Sequence, residues 1–350
     1  MGERDIYDLA YTVLSGLTDD WNTVFYNELG GELKIQWIQT PVYEAYASSD
    51  YSPGGVPDHC ISISYSLLWQ LYNDIKYYFI YLESGFDDEF LKFLWGDKAQ
   101  LSELLTLATK EQAIQNIYMA AITWVYFHEL GHLDQEHGVI RYNKSSHFSS
   151  TLVECDVQNK ETMTGEKSAL WHVTEIAADF YATTTCVTEI MRHFTDLKDA
   201  RIAANYLVSA IAIVLHRFNG DNSFEEQSIP IGSHPKPFVR LELALPVIFE
   251  RLSVPDSDER KQLINTGGRS AMSVSLYWLR VHTKFDGIPD HYFIEGMLTR
   301  PGVADYLKII ISKWDEIEPK VMSLNRFGKG WQILRFSTAL RERLENNEFK

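Results

Sequence analysis

Apolar residues recur at helical spacing through most of this chain, and strict alternation is confined to short stretches in its first quarter. Ile6, Leu9, Val13 and Leu14 open a helical pattern that ends at Gly30-Gly31. Lys34-Ile35-Gln36-Trp37-Ile38-Gln39 alternates with period two and stops at Pro41, which predicts a strand. Ser48 to Pro57 holds Ser, Gly and Pro and reads as a loop. Cys60-Ile61-Ser62-Ile63-Ser64-Tyr65 alternates again and runs directly into a helical stretch through Leu82. Short helices with acidic starts follow as far as Thr109.

A longer helix is expected from near Lys110, with an apolar stripe of Ile114, Ile117, Tyr118, Ala121, Ile122 and Val125 and a stop at Gly138. Residues 139–167 are polar and aperiodic, and a loop of that length in a compact domain is usually functional or mobile. Helices resume with Ser168 as cap to about His193, then from Asp199 to Phe218 and from Phe238 to Leu252, where Pro246 predicts a kink. Beyond residue 255 the pattern is helical, with breaks at Gly267-Gly268, Gly287-Ile288-Pro289 and Pro301-Gly302. The expected fold class is mainly α with a small β-sheet (α+β). The expected domains are residues 1–254 and a helical C-terminal region, 255–350.

Composition narrows the partners. The chain has 350 residues, 45% hydrophobic and 23% charged, enough for a substantial core. Its formal net charge of -16 disfavours nucleic acid and anionic lipid, because phosphate recognition needs clustered Lys and Arg. Cys60, Cys155 and Cys186 are dispersed and odd in number, which suits a reducing cytoplasm rather than a disulfide framework. The N-terminus lacks an apolar signal core, and Ile202 to Leu215 is shorter than a membrane span and reads as a buried helix. A soluble, cytoplasmic protein is expected.

The chemistry lies in His128-Glu129-Leu130-Gly131-His132, an H-E-x-x-H pattern inside the Lys110 helix. Residues four apart share a helix face, so His128 and His132 can offer two imidazoles to one metal ion, with Glu129 beside them as base. Alone, such a pattern arises by chance in some unrelated chains. A catalytic zinc usually takes three protein ligands and keeps its fourth position for water. Glu175, in Thr174-Glu175-Ile176-Ala177-Ala178-Asp179, can be the third. Asp179, one turn later, can accept the free N–H of a ligand histidine, and Ala178 is small where two helices must approach. His234, in Ser233-His234-Pro235-Lys236-Pro237, sits in a proline-stiffened loop suited to hydrogen-bonding an oxyanion. His137, five positions after His132, is expected to face solvent. His172, one turn before Glu175, is a further candidate neighbour, and His147 and Cys155 lie in the polar loop.

These three segments, in this order, resemble the gluzincin metallopeptidases of the HtpX and CAAX prenyl protease family. The matches are His128, Glu129 and His132; Glu175, Ala178 and Asp179; and His234, Pro235 and Arg240. The resemblance spans roughly residues 110–245. Those family members are membrane-embedded, whereas relatives with the same signature, the Lit-type phage-exclusion peptidases, are soluble and cut a host translation factor. The resemblance implies a zincin-like core and a Zn2+ ion held by His128, His132 and Glu175. It also implies water activated with Glu129 as general base, His234 at the oxyanion, and Arg240 paired with Asp179 or Glu175. The function implied is a zinc endopeptidase acting on a protein or peptide substrate, used either for housekeeping or as a regulated host-defence or toxin protease. The Cys60–Tyr65 strand is a candidate sheet edge for an extended substrate, or an ordinary core strand. A zinc-containing scaffold without proteolytic activity stays open as the alternative.

Overall fold

The computed structural model describes residues 1–50, 55–142, 149–153, 163–219, 228–283, 297–325, 327 and 330–346. Helices dominate, and one small sheet lies near the N-terminus, so the chain is mainly α with a small β component. Helix α1 (Glu3–Trp21) buries Ile6, Ala10, Leu14 and Thr18, then widens to a π turn over Asn22–Tyr26, tightens to 3-10 over Asn27–Leu29 and ends at Gly30, whose φ of 67° is left-handed. Strands β1 (Glu32–Ile38), β2 (Ala45–Asp50) and β3 (Asp58–Ser64) follow, and Ser64 caps α2 (Tyr65–Ser84) by accepting from the Leu67 amide. Two short helices come next, α3 (Asp88–Trp95) and α4 (Gln100–Leu104).

Helix α5 (Lys110–Asp134) starts where expected because Thr109 and Gln112 cap each other reciprocally. From Trp124 to Asp134 every residue is buried, so the sequence stripe widens into an all-round buried face in the half that carries the chemistry. The helix ends at Asp134, four residues before Gly138. The chain turns at Glu136, with φ 51°, and Gly138 lies inside α6 (His137–Tyr142). Strand β4 (Ser149–Val153) precedes α7 (Gly165–His193), α8 (Leu197–Asn219) and α9 (Pro237–Arg251). The C-terminal part adds α10 (Ser257–Trp278), α11 (Val303–Leu324) and α12 (Thr338–Glu345).

The sheet order is β1-β3-β2-β4, with β1 parallel to β3 and the other pairs antiparallel. This corrects one reading and decides another between its two alternatives. Residues 45–50 form a strand, although small and polar side chains hide its period. The Cys60–Ser64 strand is central, hydrogen-bonded on both sides, and is not an edge. Ser168 lies within α7 rather than at its cap, and its hydroxyl donates to the Gly232 carbonyl at 2.7 Å. Gly267-Gly268 does not break α10. A Cβ on Gly267 would lie 2.5 Å from the Phe249 ring and one on Gly268 2.6 Å from Trp95, so these glycines permit close packing. His147, Cys155 and Gly287-Ile288-Pro289 lie outside the described residues.

Helix α8 is long and apolar enough to cross a membrane by composition alone. Its apolar window is 83% buried inside the protein, as expected for a core helix. The main core joins α1, α2, α5 and α8 with the sheet and with Ala271, Val274, Tyr277 and Trp278 of α10. A second cluster packs α11 against Val173, Ile176 and Ala177 of α7.

Candidate metal centre

Helices α5 and α7 cross at close range. A Cβ on Gly131 would sit 3.0 Å from the Tyr181 Cβ, and Trp124 donates its indole N–H to Thr183 Oγ1 at 3.1 Å. This approach brings three of the expected residues together. His128 and His132 are one turn apart on α5, each 1% exposed, with their Nε2 atoms 3.0 Å apart. Glu175 of α7 reaches both: Oε2 is 3.3 Å from His128 Nε2, and Oε1 is 3.4 Å from His132 Nε2. One donor atom from each of the three lies within 4.8 Å of the others.

Two atoms bound at about 2.0–2.1 Å to a tetrahedral ion are themselves roughly 3.3–3.4 Å apart, so the observed spacings suit ligands around one ion. The outer partners support this. Asp179 Oδ1 lies 2.9 Å from His128 Nδ1, which places that ring's proton on the outer nitrogen and leaves the Nε2 lone pair pointing inward. With the His132 proton likewise on Nδ1, two bare nitrogens face each other across 3.0 Å, an arrangement a cation between them relieves. Two imidazoles and a carboxylate are a donor set that zinc accepts.

Electrostatics favour the same protonation states. Burial drives the His132 pKa well below its ordinary value, so the ring is neutral. Burial alone would raise the Glu175 pKa, but the positive charges of His234 and Arg141 overcome it and hold the carboxylate ionised. Asp179 is also held ionised against burial, by Arg240, whose Nε and Nη2 each donate to it at 2.7 Å. Arg240 also lies 3.7 Å from Glu175 Oε2. Glu129 is fully buried beside His128 on the same turn.

His234 reaches the same centre from the loop before α9, its Nε2 3.8 Å from Glu175 Oε2. It is the more open group there, with a side chain 21% exposed against 1% for the two histidines and Glu175, so it marks the accessible side. Its loop is tied down by more than prolines. The Gly232 amide donates to Met163 O at 2.8 Å, and His172 Nε2 lies 3.2 Å from Ile231 O. His172 therefore anchors the His234 loop, while its other nitrogen meets the Tyr306 hydroxyl at 3.0 Å.

Two residues escaped the sequence reading. His137 is fully buried rather than solvent-facing, and its Nδ1 lies 2.8 Å from His132 Nδ1. Arg141, in what reads as loop, donates through Nη2 to Glu175 Oε1 at 2.5 Å. An ideal helix continued past Asp134 would point His137 away, and no periodicity marks residue 141; the turn at Glu136 is visible only in three dimensions. A cavity of about 470 Å³ lies along the first half of α5, lined by Met119, Ala120, Cys186 and Ile202 among others, and includes none of the metal-site residues.

The architecture and site define a mainly α protein with a buried His-His-Glu group able to bind a metal ion. The chain is similar to the Peptidase U49 family, whose model matches residues 95–259, a span that includes His128, Glu129, His132, Glu175, Asp179, His234 and Arg240. That match supports a peptidase function, and with it a protein substrate. No curated protein and no solved structure matches significantly.

Proposed function

We propose that this chain is a zinc-dependent endopeptidase of the gluzincin type, with His128, His132 and Glu175 holding the ion. The observation that carries the reading is the buried His-His-Glu group with Glu129 beside it, inside the span that resembles a peptidase family. Bound there, zinc supplies the Lewis acidity that makes water a nucleophile near neutral pH. Glu129 accepts the proton that water loses on attacking the peptide carbonyl and returns it to the leaving amine. His234, on the open side, hydrogen-bonds the oxygen of the tetrahedral intermediate. Asp179, locked by Arg240, keeps His128 oriented.

Strand β4 terminates the sheet order, and α6 packs against both it and the ligand helices. An extended substrate adding to that edge would extend the sheet that packs on α5. The free thiols Cys60 and Cys186 suit a cytoplasmic setting. The Lit-type resemblance extends the proposal to a narrowly specific host-defence protease. Metal analysis joined to a search for new protein N-termini in cells expressing wild type or Glu129→Gln tests it. Zinc in both proteins and new termini only with wild type are expected. Zinc without any enzyme-dependent termini would make the site a scaffold.

A further inference from the structure

Every ligand of the centre has its own buried outer partner. His128 has Asp179, braced by Arg240. His132 has His137, and Glu175 has Arg141. The last two partners come from a single six-residue helix, α6, which follows α5 after only two residues.

The geometry of that turn is specific. Gln135 still bonds back to Gly131 O at 3.2 Å, and Glu136 to Leu133 O at 3.1 Å. Glu136 then adopts φ 51°, a left-handed conformation that a non-glycine residue rarely takes. Backbone strain kept by a residue without special freedom for it is compensated by what the turn delivers. Here it reverses the chain, so His137 packs against the outer edge of His132, with ring centroids 5.0 Å apart and planes at 74°. Both rings are within 1% of full burial, so water cannot readily take the place of either.

A 2.8 Å contact between two Nδ1 atoms needs one donor and one acceptor. For His132 to turn an Nε2 lone pair toward a metal, its proton must sit on Nδ1. His137 must then accept at Nδ1 and carry its own proton on Nε2. Arg141 is fixed as firmly. Its Nε donates to Thr174 Oγ1 at 2.8 Å, its guanidinium lies over the Trp171 ring at 4.3 Å, and its side chain is 2% exposed. A planar fork held in that way sets the orientation of the Glu175 carboxylate as a flexible ammonium would not.

We propose that His137 and Arg141 are positioning residues that preset His132 and Glu175 for the metal, and that α6 acts as the brace on which metal affinity depends. This rests on the zinc reading above. The test is zinc affinity of the full chain, measured by competition with a chromophoric chelator, alongside thermal unfolding of the metal-free protein. His137→Phe keeps the ring and the volume but loses the acceptor, and Arg141→Met keeps the stem but loses the fork. Each is expected to weaken zinc binding about 10–100-fold; the metal-free unfolding temperature stays near wild type in His137→Phe and falls in Arg141→Met, which leaves the buried Glu175 carboxylate without that cation. His137→Gln, whose amide oxygen can accept the same proton, is expected to recover most of the loss. Cobalt(II) in place of zinc should show an altered visible spectrum in His137→Phe and a wild-type one in His137→Gln. Wild-type zinc affinity in both His137→Phe and Arg141→Met would overturn the inference and leave the zinc reading standing. If His137→Phe does not fold, equal loss of zinc in His137→Gln would overturn it instead. A wild-type chain that binds no zinc would remove both readings.

Discussion

Gly131 of α5 and Tyr181 of α7 meet where the helices that carry the His-His-Glu group cross, and a Cβ on Gly131 would lie 3.0 Å from the Tyr181 Cβ. Only that approach lets Glu175 reach both histidines. Gly131→Val should therefore push the helices apart, costing about 1–3 kcal/mol of stability as an overpacked core does. Zinc affinity should fall with it. Denaturant unfolding and zinc titration measure the two effects, and a variant as stable as wild type would show that the contact is slack.

Glu129 tests the chemistry apart from the metal. Glu129→Gln keeps size and burial, so zinc content should stay near one ion per chain while peptide cleavage drops by about 10²–10⁴-fold, the usual worth of a general base. Metal analysis and a peptide-cleavage assay on the same preparation check it.

Glu175→Ala should lose the metal and also destabilise the protein. Arg141 is buried, and its charge would face a cavity where the carboxylate had been. Removing one member of a buried pair costs roughly 3–5 kcal/mol. Glu175→Ala combined with Arg141→Met should recover part of that stability without recovering zinc, and unfolding curves of the single and double variants decide.

Acid should destabilise the metal-free fold through histidines buried in neutral form. Burial pushes His172 and His216 down to about 3 from an ordinary value of 6.5. Their folded-state values are depressed, so the unfolded chain binds more protons below 6.5. Stability is fully present above that pH and declines as pH falls toward 3, with a slope of up to about 1.4 kcal/mol per pH unit for each ring. Thermal unfolding between pH 7.5 and 5 should show the decline. His216→Gln, which can still bond Ser275 as His216 Nε2 does at 3.0 Å, should flatten it.

Much of the centre was legible because its signals are local. The i, i+4 spacing of His128 and His132 and of Glu175 and Asp179 follows from helix geometry, and both segments carry apolar periodicity strong enough to read as helices. The start of α5 at Lys110 follows from Thr109 and Gln112, a capping pair three residues apart. Strand β2 was not legible, because its small and polar side chains have no period and its structure comes from the ladders on either side. The paired glycines of α10 misled for a related reason. Local propensity reads Gly267-Gly268 as a break, while the rings of Phe249 and Trp95 make them the residues that fit.

By itself, then, the sequence determined the helical class, pointed to the three residues that the fold gathers, and showed which pairs share a helix face, each from spacing along a single element. Tertiary structure alone decided that α5 and α7 approach at Gly131, that β3 is an inner strand, and that His137 and Arg141 return to the ligands. Each of these depends on packing between distant segments or on one left-handed residue, and neither leaves a period in the chain.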